Sequence, residues 1–149
     1  MNSTVRRITA IFGAGAAGAA LLAGSPALAG PARPHGPLEE KSVVWGQLHA
    51  GDCQQDNGTI VVRSDGTGEW SATTLTYQTH SGDVWHSSFD FYTTAGYHLF
   101  RQPNGGTFDS PRMNDGNPPP RYSWGAKFTF NPADYSGIDL YQTQQHYSC

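Results

Sequence analysis

His80, Asp83 and His86 are the residues whose types and spacing come closest to chemistry. The run His80-x-x-Asp83-x-x-His86 supplies two imidazoles and a carboxylate, and His49, Asp52, His98 and His146 are further donors of the same kinds. These are ligand types for a divalent cation, and a metal held there would support a metal-dependent hydrolase. The spacing weighs against it. His80 and Asp83 fall in a turn signal while His86 falls in a strand, and neither an HExxH pattern nor a paired-cysteine pattern backs a zinc site. The plainer reading makes Asp83 a turn cap and His86 a residue of a sheet surface. No metal and no cofactor is therefore expected, with His80, Asp83 and His86 kept as the alternative ligands.

Other catalytic patterns are missing. The chain has no G-x-S-x-G elbow, although serines and histidines are plentiful enough for a chance Ser-His-Asp grouping. A glycosidase needs two opposed carboxylates. The glutamates are Glu39, Glu40 and Glu69, two of them beside a Pro-rich stretch, and nothing marks Asp83 or Asp90 as a pair. No catalytic residue is assigned and a non-enzymatic role is expected. Four tryptophans and seven tyrosines raise a sugar-stacking role. Trp45, Trp70, Trp85 and Trp124 fall on core-facing positions, so exposed rings would come from Tyr77, Tyr92, Tyr97 and Tyr122.

The elements that must position these residues are strands. From Gly58 to Thr93 the chain reads as a meander of three strands and two turns. Ser64-Asp65-Gly66 carries the Asp-Gly signal of a hairpin, and His80-Ser81-Gly82-Asp83 supplies a second turn. If Ser81-Gly82 closes a hairpin, Gln78 faces Trp85, Thr74 faces Phe89 and Ala72 faces Phe91. One face then carries Trp70, Ala72, Thr74, Trp85, Phe89 and Phe91, which is the core side. The other carries Thr73, Leu75, Tyr77, His86, Ser88 and Asp90. Val43–Leu48 reads as a strand before a polar loop, His49–Asn57. Tyr97–Arg101 reads as another short strand, and 102–122 as a long irregular loop. Trp124, Ala126, Phe128 and Phe130 alternate with small and polar residues, the cleanest half-buried strand of the chain. Asn131–Asp134 reads as a turn and Ile138–Thr143 as a last strand. The fold class is all-β, a small antiparallel sandwich or barrel built on the meander.

Residues 1–29 have the form of a secretory signal peptide. Arg6 and Arg7 precede an apolar Ala-rich run, and Ala27-Leu28-Ala29 is an A-x-A cleavage site. Gly30–Lys41 contains three prolines and little that is apolar, an extended arm leading to a β domain over 42–149. Removing Arg6 and Arg7 takes the formal charge from −3 to −5. An acidic exported domain is a poor nucleic-acid binder, and no membrane insertion is expected once the signal is cleaved. In an oxidising compartment the two cysteines, Cys53 and Cys149, read as one disulfide. Closing a loop of about 100 residues is worth up to about 4.7 kcal/mol in the chain-entropy picture.

Three stretches carry a resemblance. Trp45-Gly46-x-Leu48-x-Ala50-Gly51-Asp52-Cys53, Gly58-Thr59-Ile60-x-Val62-x-x-Asp65-Gly66-x-Gly68-x-Trp70 and Ser81-Gly82-Asp83-Val84-Trp85-His86 resemble a family of small secreted actinobacterial proteins of uncharacterised function. The resemblance implies export and a compact β domain, and it brings no catalytic residue. In size, export and arm the chain is also loosely similar to adaptor subunits of secreted toxin particles. The expected function is an extracellular protein-binding domain, an adaptor, whose arm and Val43, Val44 and Trp45 pair with a partner's edge or cleft. A carbohydrate-binding module is the alternative, so the expected partner is an extracellular protein or a glycan.

Overall fold

Alternating apolar residues with Gly-centred turns build nine strands and a 3-10 helix in the computed structural model, which describes residues 37–149. The signal-peptide reading and most of the arm, residues 1–36, lie outside the described residues. The strands are β1 (Glu40–Trp45), β2 (Leu48–Ala50), β3 (Cys53–Arg63), β4 (Thr67–Thr76), β5 (His86–Tyr92), β6 (His98–Gln102), β7 (Phe108–Asp109), β8 (Tyr122–Thr129) and β9 (Asp139–Ser148). β1 takes in Glu40 and Lys41, the last two residues of the stretch read as an arm.

Two antiparallel sheets face each other, so the all-β fold takes the sandwich form. The first runs β1-β3-β4-β8, with β2 also paired to β3. In the second, β5 pairs with β6 and β7 and also with β9. Ser64-Asp65-Gly66 makes the predicted β3–β4 hairpin. Gly66 takes φ +84°, and Asp65 Oδ1 accepts from the Thr67 N–H (2.9 Å) and hydroxyl (2.6 Å).

The second predicted hairpin is absent. β4 is flanked by β3 on one side and β8 on the other, which leaves no edge for β5. The chain leaves the first sheet after Thr76, and Asp83 bridges instead to Met113 through paired backbone bonds of 3.0 and 2.7 Å. β5 then opens the second sheet. The inward set survives because it depends on alternation rather than on the partner: Trp70, Ala72, Thr74, Trp85, Phe89 and Phe91 are all buried. On the opposite set Leu75 and Ser88 are buried as well, so that face is not uniformly wet.

The polar run His49–Asn57 is strand rather than loop. β2 and β3 pair across a tight turn at Gly51 and Asp52, and Gln54 and Gln55 are buried. Their amides find side-chain partners, which makes polar residues tolerable inside the strand. Asn57-Gly58 is a bulge within β3, with Asn57 at φ 52°. The long loop is organised as well: β7 lies within it, Met113 is buried against Cys53 and Trp85, and Arg121 pairs with Asp56. After β8, Asn131 caps the 3-10 helix Pro132–Gly137.

Trp70 centres the core, its ring centroid 4.7 Å from Phe89, 6.1 Å from Trp45 and 6.3 Å from Trp124. Phe91, Phe100, Phe128 and Phe130 fill one end. Between the sheets, Gln145 Nε2 on β9 donates to Gln55 Oε1 on β3 (2.7 Å) and to Ser87 Oγ (3.1 Å), which also accepts from Trp85 Nε1 (2.9 Å). The Cys53–Cys149 disulfide joins β3 to the end of β9, and so ties one sheet to the other.

Candidate functional site

The three residues of the His80-x-x-Asp83-x-x-His86 run point to different neighbours. Asp83 is the centre of a turn. Its Oδ2 accepts from the Thr76 hydroxyl (2.7 Å) and its Oδ1 from the Thr79 hydroxyl (3.1 Å), while Thr79 Oγ1 accepts from the Gly82 N–H (2.9 Å). His86 lies on β5 and its Nδ1 is 2.7 Å from Asp109 Oδ1, a carboxylate that also accepts from Thr107. His80 is exposed at the turn. These are the capping and sheet-surface roles, and the three do not converge on one point.

A different triplet does converge. Among the described residues, Cys53, Asp83 and Cys149 are the group whose potential ligand atoms all lie within 4.8 Å of one another. The two sulfurs are bonded to each other, so the arrangement is a disulfide with a carboxylate beside it, Asp83 Oδ2 being 3.8 Å from Cys53 Sγ. A groove of about 440 Å³ opens next to it, lined by residues that include Asp52, Thr79, His80, Asp83 and Cys149.

The outer face of the second sheet holds a polar cluster around Asp90. Strand register sets Asp90 of β5 opposite Arg101 of β6 on one side and beside β9 on the other. His146 Nε2 donates to Asp90 Oδ2 (2.8 Å), His98 Nε2 lies 3.2 Å from Oδ1, and Arg101 Nη1 lies 3.4 Å from Oδ2. Arg101 Nη2 donates to Ser88 Oγ (2.6 Å). Burial alone would push the Asp90 carboxyl up. Hydrogen bonds from His98 and His146 and the charge of Arg101 outweigh that and hold it below the usual carboxylate range. Asp109 is lowered in the same way: burial opposes, and Thr107 and His86 prevail.

Ser88, Asp90 and His146 are neighbours without forming a catalytic triad. Ser88 is buried and bonded to Arg101, His146 Nε2 is taken up by Asp90, and among the described residues no hydrogen bond joins His146 to a serine. Sequence reasoning missed this cluster. The alternation His86, Ser88, Asp90 was visible, but His98, Arg101 and His146 arrive from strands whose pairing with β5 depends on the swap of sheets.

The residues read as partner-binding lie on an edge. β1 pairs with β3 on one side and, among the described residues, with no strand on the other. Val43 and Trp45 turn inward against the core, while Val44 is 62% exposed. Lys41 also turns inward, donating from Nζ to the carbonyls of Tyr135 and Ile138 at 2.8 Å each, which fixes the start of the strand against the 3-10 helix. Of the rings considered for sugar stacking, Tyr77 and Tyr97 are exposed and Tyr92 and Tyr122 half-buried. Trp70 and Trp85 are fully buried.

A family model described as a family of unknown function (DUF6294) matches residues 59–149. No curated protein and no solved structure matches the chain.

Proposed function

Because the chain belongs to the DUF6294 family, whose function is unknown, we propose its role from its own geometry: a secreted, non-enzymatic adaptor that binds an extracellular protein by adding a partner strand to β1. One observation carries this reading. The two large aliphatic side chains left exposed among the described residues are Leu38 (58%) and Val44 (62%), and one lies just before β1 and the other within it. The unpaired edge beside them offers backbone N–H and C=O groups to an incoming strand, with the side chains supplying selectivity. Val43 and Trp45, anchored in the core, hold the edge rigid, so little order has to be created on binding. The loose likeness to adaptor subunits of toxin particles fits a domain that offers a strand edge.

The test is co-purification of tagged protein from culture supernatant, with mass spectrometry of what accompanies it. Val44→Lys places a charge on the edge and should abolish recovery of the partner while leaving circular dichroism unchanged. Deleting residues 30–36, which precede the described strand, should weaken recovery if the arm adds contacts. Equal recovery by Val44→Lys and wild type rejects the β1 reading. A glycan-binding role has one favourable observation, the exposed rings of Tyr77 and Tyr97. Binding on a glycan array that Tyr97→Ala abolishes would establish it in place of the first.

A further inference from the structure

The two sulfurs of the disulfide are unequal. Cys53 is 0% exposed, packed with Trp85 and Met113. Cys149 is exposed and forms part of the wall of the groove that Asp52, His80 and Asp83 also line. A small thiol therefore has a path to one sulfur and none to the other. The groove's volume of about 440 Å³ admits a molecule of that size. The carboxylate of Asp83, fixed by the hydroxyls of Thr76 and Thr79, stands 3.8 Å from the buried sulfur.

We propose that Cys149 Sγ is a site of mixed-disulfide formation with neutral or cationic low-molecular-weight thiols, and that Asp83 is the positioning carboxylate that keeps the reaction slow and disfavours anionic thiols. In the step, a thiolate attacks Cys149 Sγ and forms a new S–S bond. The Cys53–Cys149 bond breaks, and its electron pair leaves on Cys53 Sγ, which then takes a proton from solvent. One disulfide and one thiolate enter, and one disulfide and one thiol leave once the proton is added.

Two terms oppose this step. The departing sulfur takes a full negative charge in a dry site, where desolvation is costly. It does so beside a carboxylate, and like charges at this separation repel strongly away from bulk water. A poorer leaving thiolate slows exchange. The attacking molecule meets the same field, because Asp52 and Asp83 both face the groove. A thiol carrying an ammonium group is drawn in, and one carrying a sulfonate is repelled. The inference is independent of the β1 edge.

The folded, oxidised protein is incubated with cysteamine or with 2-mercaptoethanesulfonate at equal thiolate concentration and low ionic strength. It is then quenched, alkylated and mapped by peptide mass. The adduct should sit on Cys149 and the alkyl group on Cys53. Cysteamine should react at least about threefold faster than the sulfonate, and added salt should shrink the gap. Asp83→Asn should accelerate exchange by about threefold or more and narrow the preference between the two thiols. An adduct on Cys53, equal rates for the two thiols, or an unchanged rate in a folded Asp83→Asn variant would each overturn the proposal. If that substitution disturbs the turn, the adduct position and the charge preference of the wild-type protein still decide the matter.

Discussion

Replacing Gln145 with leucine tests whether the polar link between the sheets holds them together or merely fills space. Gln55 is fully buried, and among the described residues its carboxamide bonds only to Gln145 (2.7 and 3.4 Å). With Gln145 gone, that amide has neither donor nor acceptor, at a cost of about 1–3 kcal/mol. Gln145 is half-buried, so a leucine there returns at most about 1 kcal/mol of apolar burial. Ser87 keeps its bond from Trp85 Nε1 in either case. The net expectation is a loss of about 1–2 kcal/mol. In the double variant Gln55→Leu/Gln145→Leu both amides go at once, and paired apolar groups of similar shape stand where a hydrogen-bonded pair was. Such swaps are close to neutral, so the double variant should regain most of what the single one loses. Urea unfolding followed by tryptophan fluorescence reads this directly. With a slope of about 1–2 kcal/mol per molar urea, the single variant's midpoint falls by about 1 M and the double variant's returns toward wild type. A single variant with an unchanged midpoint, or a double variant that loses the sum of the two singles, refutes the reasoning.

Breaking the disulfide with Cys149→Ser should cost up to about 4.7 kcal/mol, the chain-entropy value for so long a loop, and calorimetry should show a lower Tm with the sheets still formed at low temperature. Gly58→Ala sets a methyl group about 2.5 Å from the Trp70 ring and against the Gln55 amide, so it should cost about 1–3 kcal/mol by overpacking, read as a lower urea midpoint. Asp90 sets an acid limit. Its folded pKa lies below the unfolded value of about 4, so its ion pairs stabilise above that pH, and the contribution is lost as pH falls through the lowered value. Thermal melts from pH 7 to pH 2 should show a falling Tm at the acid end, and Asp90→Asn should flatten that limb.

The fold was legible wherever periodicity alone decides. Trp124, Ala126 and Phe128 alternate in the sequence and lie on β8 of the structure, and Trp85 and Phe89 point inward as their spacing requires. Partnership was not legible, because a strand's faces are local while its neighbours are not. Gly82 marked a true turn at φ +85°, yet the turn leads from one sheet to the other since β8 occupies the edge that β5 would need. Buried glutamines were hidden for a related reason. Gln54 and Gln55 look like loop residues until Tyr77 and Gln145 come from elsewhere to meet their amides, with Asp56 on the same strand completing the partners of Gln54. The carboxylate beside the disulfide was equally hidden: Asp83 and Cys53 lie thirty residues apart, and only the exit of the chain from the first sheet brings them together.

The bond from Cys53 to Cys149 encloses all of β4 through β9 in one covalent ring. A protease that cuts any exposed tip within it, such as Asn104–Gly106 or Asn114–Asn117, severs the backbone without releasing a fragment. Both pieces stay attached through sulfur, each strand keeps its neighbours, and a nicked molecule runs as intact on a non-reducing gel. Under the secreted role proposed above, the closure amounts to tolerance of a first cut.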